Sequence, residues 1–161
     1  MTTIAYHKGM LAADTRVIEE NLITPETCRK VHRLPDGSLF AFCGCLEDAS
    51  LIKQSLIKHM PLPKIEHRDD ETACLHIRLN GTVYFTTGKA WVKVEGTRMA
   101  SIGTGSPSAY AAMRAGLSPD KAVRIAMAQD PNSGGRVHVL RLRQNIRPGN
   151  GRVRALRKRK P

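Results

Sequence analysis

The chain has 161 residues, with 26 Lys and Arg against 14 Asp and Glu, a formal net charge of +12 and only 4% aromatic residues. This length suits one domain with its own core, and no apolar run approaches the roughly 20 residues of a membrane-spanning helix. The first residues lack the basic-then-apolar pattern of a secretory signal, because His7 and Lys8 interrupt them early, so the chain reads as cytoplasmic.

Short strand-like runs dominate from residue 2 to about residue 87. TIAYHK, MLAAD, VIEENLI, CRKVHRL and SLFAFC follow one another, each bounded by Gly, Pro or Asp signals. Lys8-Gly9 and Pro35-Asp36-Gly37 read as tight turns. Residues 46–59, LEDASLIKQSLIKH, change the period. Leu46, Ala49, Ile52, Leu56 and Ile57 recur at helical spacing and predict one amphipathic helix with those residues inward. The proline-rich, charged connection MPLPKIEHRDDE leads to ACLHIRL and GTVYFTT, which read as a hairpin around Asn80-Gly81. KAWVKVEG and RMASIG add two strands. Ser106-Pro107 and Ser118-Pro119 each place a proline at the first position of a helix, the first helix ending at Gly116 and the second near Gln129. RVHVLRL is a last strand. Strands and helices run in blocks, which argues an α+β fold with antiparallel sheets.

Cys28, Cys43, Cys45 and Cys74 have no disulfide-framework spacing, and the Cys43-Gly44-Cys45 pair has no second metal-ligand pair to complete it. They read as small thiols in a strand and the turn after it, with no metal site and no cofactor expected. Residues 141–161 hold nine basic side chains and no acid, which leaves only +3 for residues 1–140. We therefore divide the chain into a body, residues 2–142, and a flexible basic tail, residues 143–161. Such a tail either makes non-specific electrostatic contact with nucleic acid or an acidic protein surface, or simply solubilises the chain. It has no aromatic residue to stack on bases.

Six short stretches form a set: TTI at 2–4, AADTR at 12–16, RKV at 29–31, FCGCLEDA at 42–49, IGTGS at 102–106 and DPNSGG at 130–135. In this order they resemble the proteasome β-subunit family, in particular its bacterial HslV-like branch of N-terminal-nucleophile (Ntn) hydrolases, over about residues 2–142. The resemblance implies a four-layer αββα sandwich of two antiparallel sheets. One helix where the family usually has two marks a trimmed phage- or bacterial-type member.

The resemblance also implies roles. Thr2, exposed by loss of Met1, would be nucleophile and, through its α-amine, general base. A free α-amine has a pKa of about 7.7–8.0, suited to that task. Lys30 would favour the neutral amine and the developing alkoxide, and Asp14 would hold Lys30, with Arg16 following as in the family's Asp-Ser-Arg stretch. Gly44 and Cys45 would form the oxyanion turn, with Cys45 standing where the family commonly has a second glycine. Phe42 falls at the floor of the specificity pocket, although core packing accounts for it nearly as well, and Val17 and Ile18 would contact substrate. Thr104, in place of the family's serine, Asp130 and Ser133 would support the amino terminus.

The activity so implied is that of a threonine peptidase acting on peptides or unfolded proteins as a homo-oligomeric ring. No G-x-x-x-x-G-K-S/T loop occurs, so any unfolding energy would come from an ATPase partner. The alternative is a catalytically silent structural or adaptor module, tethered through its basic tail to nucleic acid or an acidic partner.

Overall fold

A two-residue turn fixes the first hairpin. Lys8 (φ +47°) and Gly9 (φ +80°) both take left-handed conformations, the geometry that matches the twist of antiparallel strands. The turn joins β1 (Ile4–His7) to β2 (Met10–Asp14) and sets the register Ile4 to Ala13 and His7 to Met10. In the computed structural model, residues 2–19, 22–24, 26–65, 72–96 and 99–143 are described. The basic tail beyond residue 143, and residue 1, lie outside them.

Further along lie β3 (Ile18–Glu19), β4 (Leu22–Ile23), β5 (Val31–Arg33), β6 (Leu39–Cys43) and α1 (Leu46–Ile57). They are followed by β7 (Ala73–Ile77), β8 (Val83–Thr86), β9 (Val92–Lys93) and β10 (Met99–Ile102). The body closes with α2 (Ser106–Arg114), α3 (Pro119–Gln129) and β11 (Val137–Arg141). A four-stranded sheet has the order β10-β1-β2-β11 and a five-stranded sheet the order β5-β6-β7-β8-β9, every pairing antiparallel.

Side-chain alternation sorts the strands into three packed interfaces. Ile4, Tyr6, Leu11 and Ala13 meet Leu39, Ala41, Cys43, Leu75 and Ile77 between the sheets. On its other face the first sheet offers Ala5 and Ala12 to Ala109, Ala112, Ala122 and Ala126 of α2 and α3, where small residues allow close approach. Phe40, Phe42 and Cys74 pack against Ala49 and Ile52 of α1. Central strands buried on both faces read as unbroken apolar runs such as LFAFC, as the fold demands. The result is the expected sandwich of two antiparallel sheets between helices. Among the described residues, α1 alone covers the five-stranded sheet.

Two expectations need correction. VIEENLI is not one strand. It supplies the two-residue strands β3 and β4, which pair with each other, Ile18 with Ile23, and join neither main sheet. The inward face of α1 is also rotated. Leu46 and Ile57 are exposed, whereas Asp48 and Ser55 are buried with Ala49 and Ile52. Local hydrogen bonds make this tolerable, since Thr72 Oγ1 donates to Asp48 Oδ2 at 3.1 Å and Ser55 Oγ donates to the Ile52 carbonyl at 2.8 Å.

Candidate active site

Asp14 ends β2 directly opposite the start of β1, and its carboxylate collects four donors. Oδ1 accepts the Thr3 amide at 3.0 Å and Lys30 Nζ at 3.0 Å; Oδ2 accepts the amides of Gly134 at 3.0 Å and Arg16 at 3.2 Å. Lys30 Nζ donates in addition to the Arg16 carbonyl. Both members of the pair are sealed from water, and the four donors around the carboxylate offset the cost of burying it. Burial pushes Lys30 below the ordinary lysine range, opposed by the Asp14 charge and hydrogen bond.

A second chain of hydroxyls reaches the same strand. Ser133 Oγ donates to Asp130 Oδ2 at 2.7 Å, and Thr104 Oγ1 donates to the same oxygen at 2.6 Å. Because the Ser133 proton is committed to Asp130, the 2.6 Å contact between Thr3 Oγ1 and Ser133 Oγ is a bond donated by Thr3. Burial raises the Asp130 pKa, but the hydrogen bonds from Thr104, Ser133 and Asn132 outweigh it and hold the carboxyl below its usual range. Thr3 is thus fastened twice, by its amide to Asp14 and by its hydroxyl toward Asp130.

Glycines bring these parts together. A Cβ on Gly103 (φ +93°) would lie 2.0 Å from the Thr2 carbonyl oxygen, and one on Gly105 would lie 1.9 Å from Thr3 Oγ1. The IGTGS turn therefore presses directly on the Thr2-Thr3 backbone, and the Gly105 amide donates to the Thr2 carbonyl at 3.4 Å. Gly134 leaves room for the Arg16 guanidinium, which bonds Glu26 Oε1 at 2.7 Å and the Pro131 carbonyl at 3.0 Å. Arg16 so ties the end of β2 to the 130–134 turn.

The turn after β6 lies at the head of α1. Gly44 is exposed with φ +89°, and its N–H has no hydrogen-bond partner among the described residues. The Cys45 amide, by contrast, is already bonded to Thr72 Oγ1 at 3.1 Å. Phe42 faces α1 from within the core, its ring stacked 6.1 Å from His32 and 6.4 Å from Phe40. Val17 and Ile18 lead into the separate β3–β4 hairpin, where the Val17 carbonyl accepts the Thr24 amide. Among the described residues no group of three or more His, Cys, Asp or Glu is placed to hold a metal ion.

Five of the six stretches, scattered from residue 2 to residue 135, thus bring Thr2, Thr3, Asp14, Lys30, Thr104, Asp130 and Ser133 into one hydrogen-bonded region at the head of β1, and FCGCLEDA supplies none of these residues. Sequence reading did not single out Thr3, although the doubled threonine of TTI was its signal. Nor did it single out Gly103, Gly105 and Gly134, whose spacing in IGTGS and DPNSGG carried the information.

Antiparallel sheets stacked between helices, with a polar cluster gathered on the first strand, define an Ntn-hydrolase-type sandwich. The sequence profile described as Proteasome subunit matches residues 4–93, more than half of the chain, and the chain belongs to that family. In structure the chain is similar to eukaryotic HslV from Trypanosoma brucei, with a TM-score of 0.68 and 22% sequence identity over 87% of this chain and 99% of that one. This likeness shows the shared HslV fold. No curated protein matches the chain in sequence. No helix among the described residues is long and apolar enough to cross a membrane.

Proposed function

We propose that this chain is a threonine-type peptidase whose nucleophile is Thr2, freed by removal of Met1. One observation carries the reading: the first strand is fastened at Thr3, immediately after the proposed nucleophile, to a buried Lys30–Asp14 pair and to the Ser133–Asp130–Thr104 chain. A strand serving only the sandwich has no need of a buried cation, two carboxylates and three hydroxyls at its end.

In this mechanism Thr2 Oγ1 attacks the scissile carbonyl carbon while the Thr2 α-amine takes its proton, directly or through a water. The developing oxyanion receives the uncommitted Gly44 N–H. Cys45 shapes that turn without donating, because its amide is held by Thr72. Collapse of the tetrahedral intermediate breaks the C–N bond, and the α-ammonium returns the proton to the departing amine. Water then attacks the Thr2 ester, again deprotonated by the α-amine, and releases the acid product. A positive charge on Lys30 would favour the neutral amine and the alkoxide, and Asp14, 3.0 Å away, opposes the lowering of the Lys30 pKa by burial. Asp130, Ser133 and Thr104 hold the strand end in place through Thr3. Phe42, with Val17 and Ile18 at the rim, bounds a shallow pocket for small apolar side chains.

The full reading places residues 2–142 in a homo-oligomeric ring acting on peptides or unfolded proteins in the cytoplasm, with an ATPase partner for folded substrates. Residues 143–161 form a basic arm. Binding of duplex DNA that weakens steeply with salt and is lost on truncation after Leu142 supports an electrostatic role for the arm; salt-insensitive binding opposes it. The peptidase itself is tested by assaying untagged wild type beside Thr2→Ala on unstructured peptides. Turnover by wild type alone supports the reading, and equal turnover by the two overturns it.

A further inference from the structure

A cleft of about 760 Å³ opens on the far side of the five-stranded sheet, beside the C-terminal end of α1. It is independent of the Thr2 region and shares none of its residues. Trp91, Tyr84, Leu56 and Met60 contribute its apolar wall, and Asp36, Ser38 and His76 form a polar relay at its base. Its volume falls in the range of sites that enclose small organic groups, roughly 300–1,000 Å³, and such sites combine apolar walls with a few fixed polar atoms.

The relay determines what the cleft presents. Asp36 closes the turn before β6, accepting the Ser38 amide at 2.9 Å and the Ser38 hydroxyl at 2.6 Å. Burial works against its charge, but the two Ser38 bonds prevail and keep its carboxyl below the usual range. Ser38 is 1% exposed, and its one hydroxyl proton is committed to Asp36. The 3.1 Å contact between Ser38 Oγ and His76 Nε2 therefore requires His76 Nε2 to be the donor. Burial lowers the His76 pKa, which favours the neutral ring, with the Asp36 charge opposing this. A neutral imidazole with its proton on Nε2 has a bare lone pair on Nδ1. Among the described residues that atom has no hydrogen-bond partner, and His76 lines the cleft. Trp91 meets the His76 ring edge-on at 5.9 Å, Tyr84 lies 6.4 Å from it, and Arg78 caps one face of Tyr84 at 4.7 Å.

We propose that this cleft is a binding site for a planar aromatic group carrying one N–H or O–H donor, an indole or phenol ring, which stacks in the Trp91–Tyr84 wall and donates to His76 Nδ1. The aromatic lining favours a flat ring, and the fixed acceptor selects one with a donor over its donor-less isostere. The ring arrives either as a free small molecule or as the side chain of a peptide, and both present the same chemistry.

The test uses the full-length protein labelled with ¹⁵N-histidine and titrated with phenol, indole and toluene. In the free protein the His76 ring is expected as the Nε2–H tautomer. Phenol and indole should shift the Nδ1 resonance and bind roughly tenfold more tightly than toluene, the effect of one hydrogen bond to a site that otherwise goes unpaired. His76→Phe should abolish that preference while toluene still binds, and a folded spectrum of this variant guards against simple unfolding. A peptide ending in tyrosine amide distinguishes the two sources: tighter binding than phenol assigns the site to peptides, and equal or weaker binding assigns it to free small molecules. Equal affinity for toluene and phenol, an Nδ1–H tautomer, or no shift of any cleft resonance overturns the proposal.

Discussion

Lys30 Nζ stands 3.0 Å from Asp14 Oδ1, with side-chain exposures of 4% and 0%. Such a pair is sensitive to the loss of either partner, because the remaining charge is stranded in the interior. Asp14→Asn and Lys30→Met should each cost about 3–5 kcal/mol, read from urea denaturation. The double variant should recover a substantial part of that loss, since no lone charge remains. Simple additivity of the two costs would show that the charges do not act as a pair.

The close approach of the IGTGS turn to the first strand predicts a contrast between glycines. Gly103→Ala combines a φ of +93° with a Cβ only 2.0 Å from the Thr2 carbonyl, and should cost more than about 4 kcal/mol. Gly96→Ala, at φ +76° with nothing within 4 Å among the described residues, should cost only the left-handed strain of roughly 1–2 kcal/mol. Thermal unfolding of the two variants side by side checks this, and equal losses would mean that the contact with Thr2 is not what requires Gly103.

Thr3 carries a hydroxyl with a specific errand, donation to Ser133 at 2.6 Å. Thr3→Val keeps the shape and removes the donor in the interior, so it should destabilise by about 1–3 kcal/mol, whereas Thr3→Ser keeps the donor and loses only one buried methyl group, about 0.8 kcal/mol. If Thr3 positions the proposed nucleophile, Thr3→Val should also lower peptide turnover roughly tenfold, the effect of about 1.4 kcal/mol on the barrier, with little change in KM. A variant that loses stability but not turnover would confine Thr3 to the fold.

Burial lowers the pKa values of His32 and His76. As pH falls, the unfolded chain therefore takes up protons before the folded one does. The stability they contribute is complete above the unfolded value of about 6.5 and is lost as pH falls from there through the depressed folded values. Urea midpoints measured from about pH 7.5 to about pH 5 should decline, and the double variant His32→Gln, His76→Gln should flatten that decline. An unchanged slope would place the titrating groups elsewhere.

Much of the fold was legible because local chemistry and tertiary packing agree. The Ser-Pro starts of α2 and α3, the Asn80-Gly81 hairpin and the runs MLAAD and SLFAFC all lie where pattern places them. VIEENLI misled because β-prone residues carry no mark of what they pair with, and this run pairs with itself. The buried Asp48 was invisible because its partner, Thr72, lies 24 residues away. At the candidate site, the family motifs indicated Asp14, Lys30, Asp130 and Ser133, and hydrogen bonds link them to one strand end. Thr3 was not legible, because its hydroxyl meets Ser133 across 130 positions. Cys45 shows the limit of motif reading most plainly, since its amide is taken by Thr72, whereas the Gly44 N–H of that turn has no partner among the described residues.

The central claim is that Thr2 becomes the amino-terminal residue and attacks through its hydroxyl. The most direct test is the intact mass of untagged protein before and after incubation with an electrophilic peptide epoxyketone, which bonds to a hydroxyl and an adjacent free amine together. The account predicts a chain lighter by one methionine residue, a single adduct mapping to Thr2, and no adduct on Thr2→Ala. Full retention of Met1 with no adduct would contradict it.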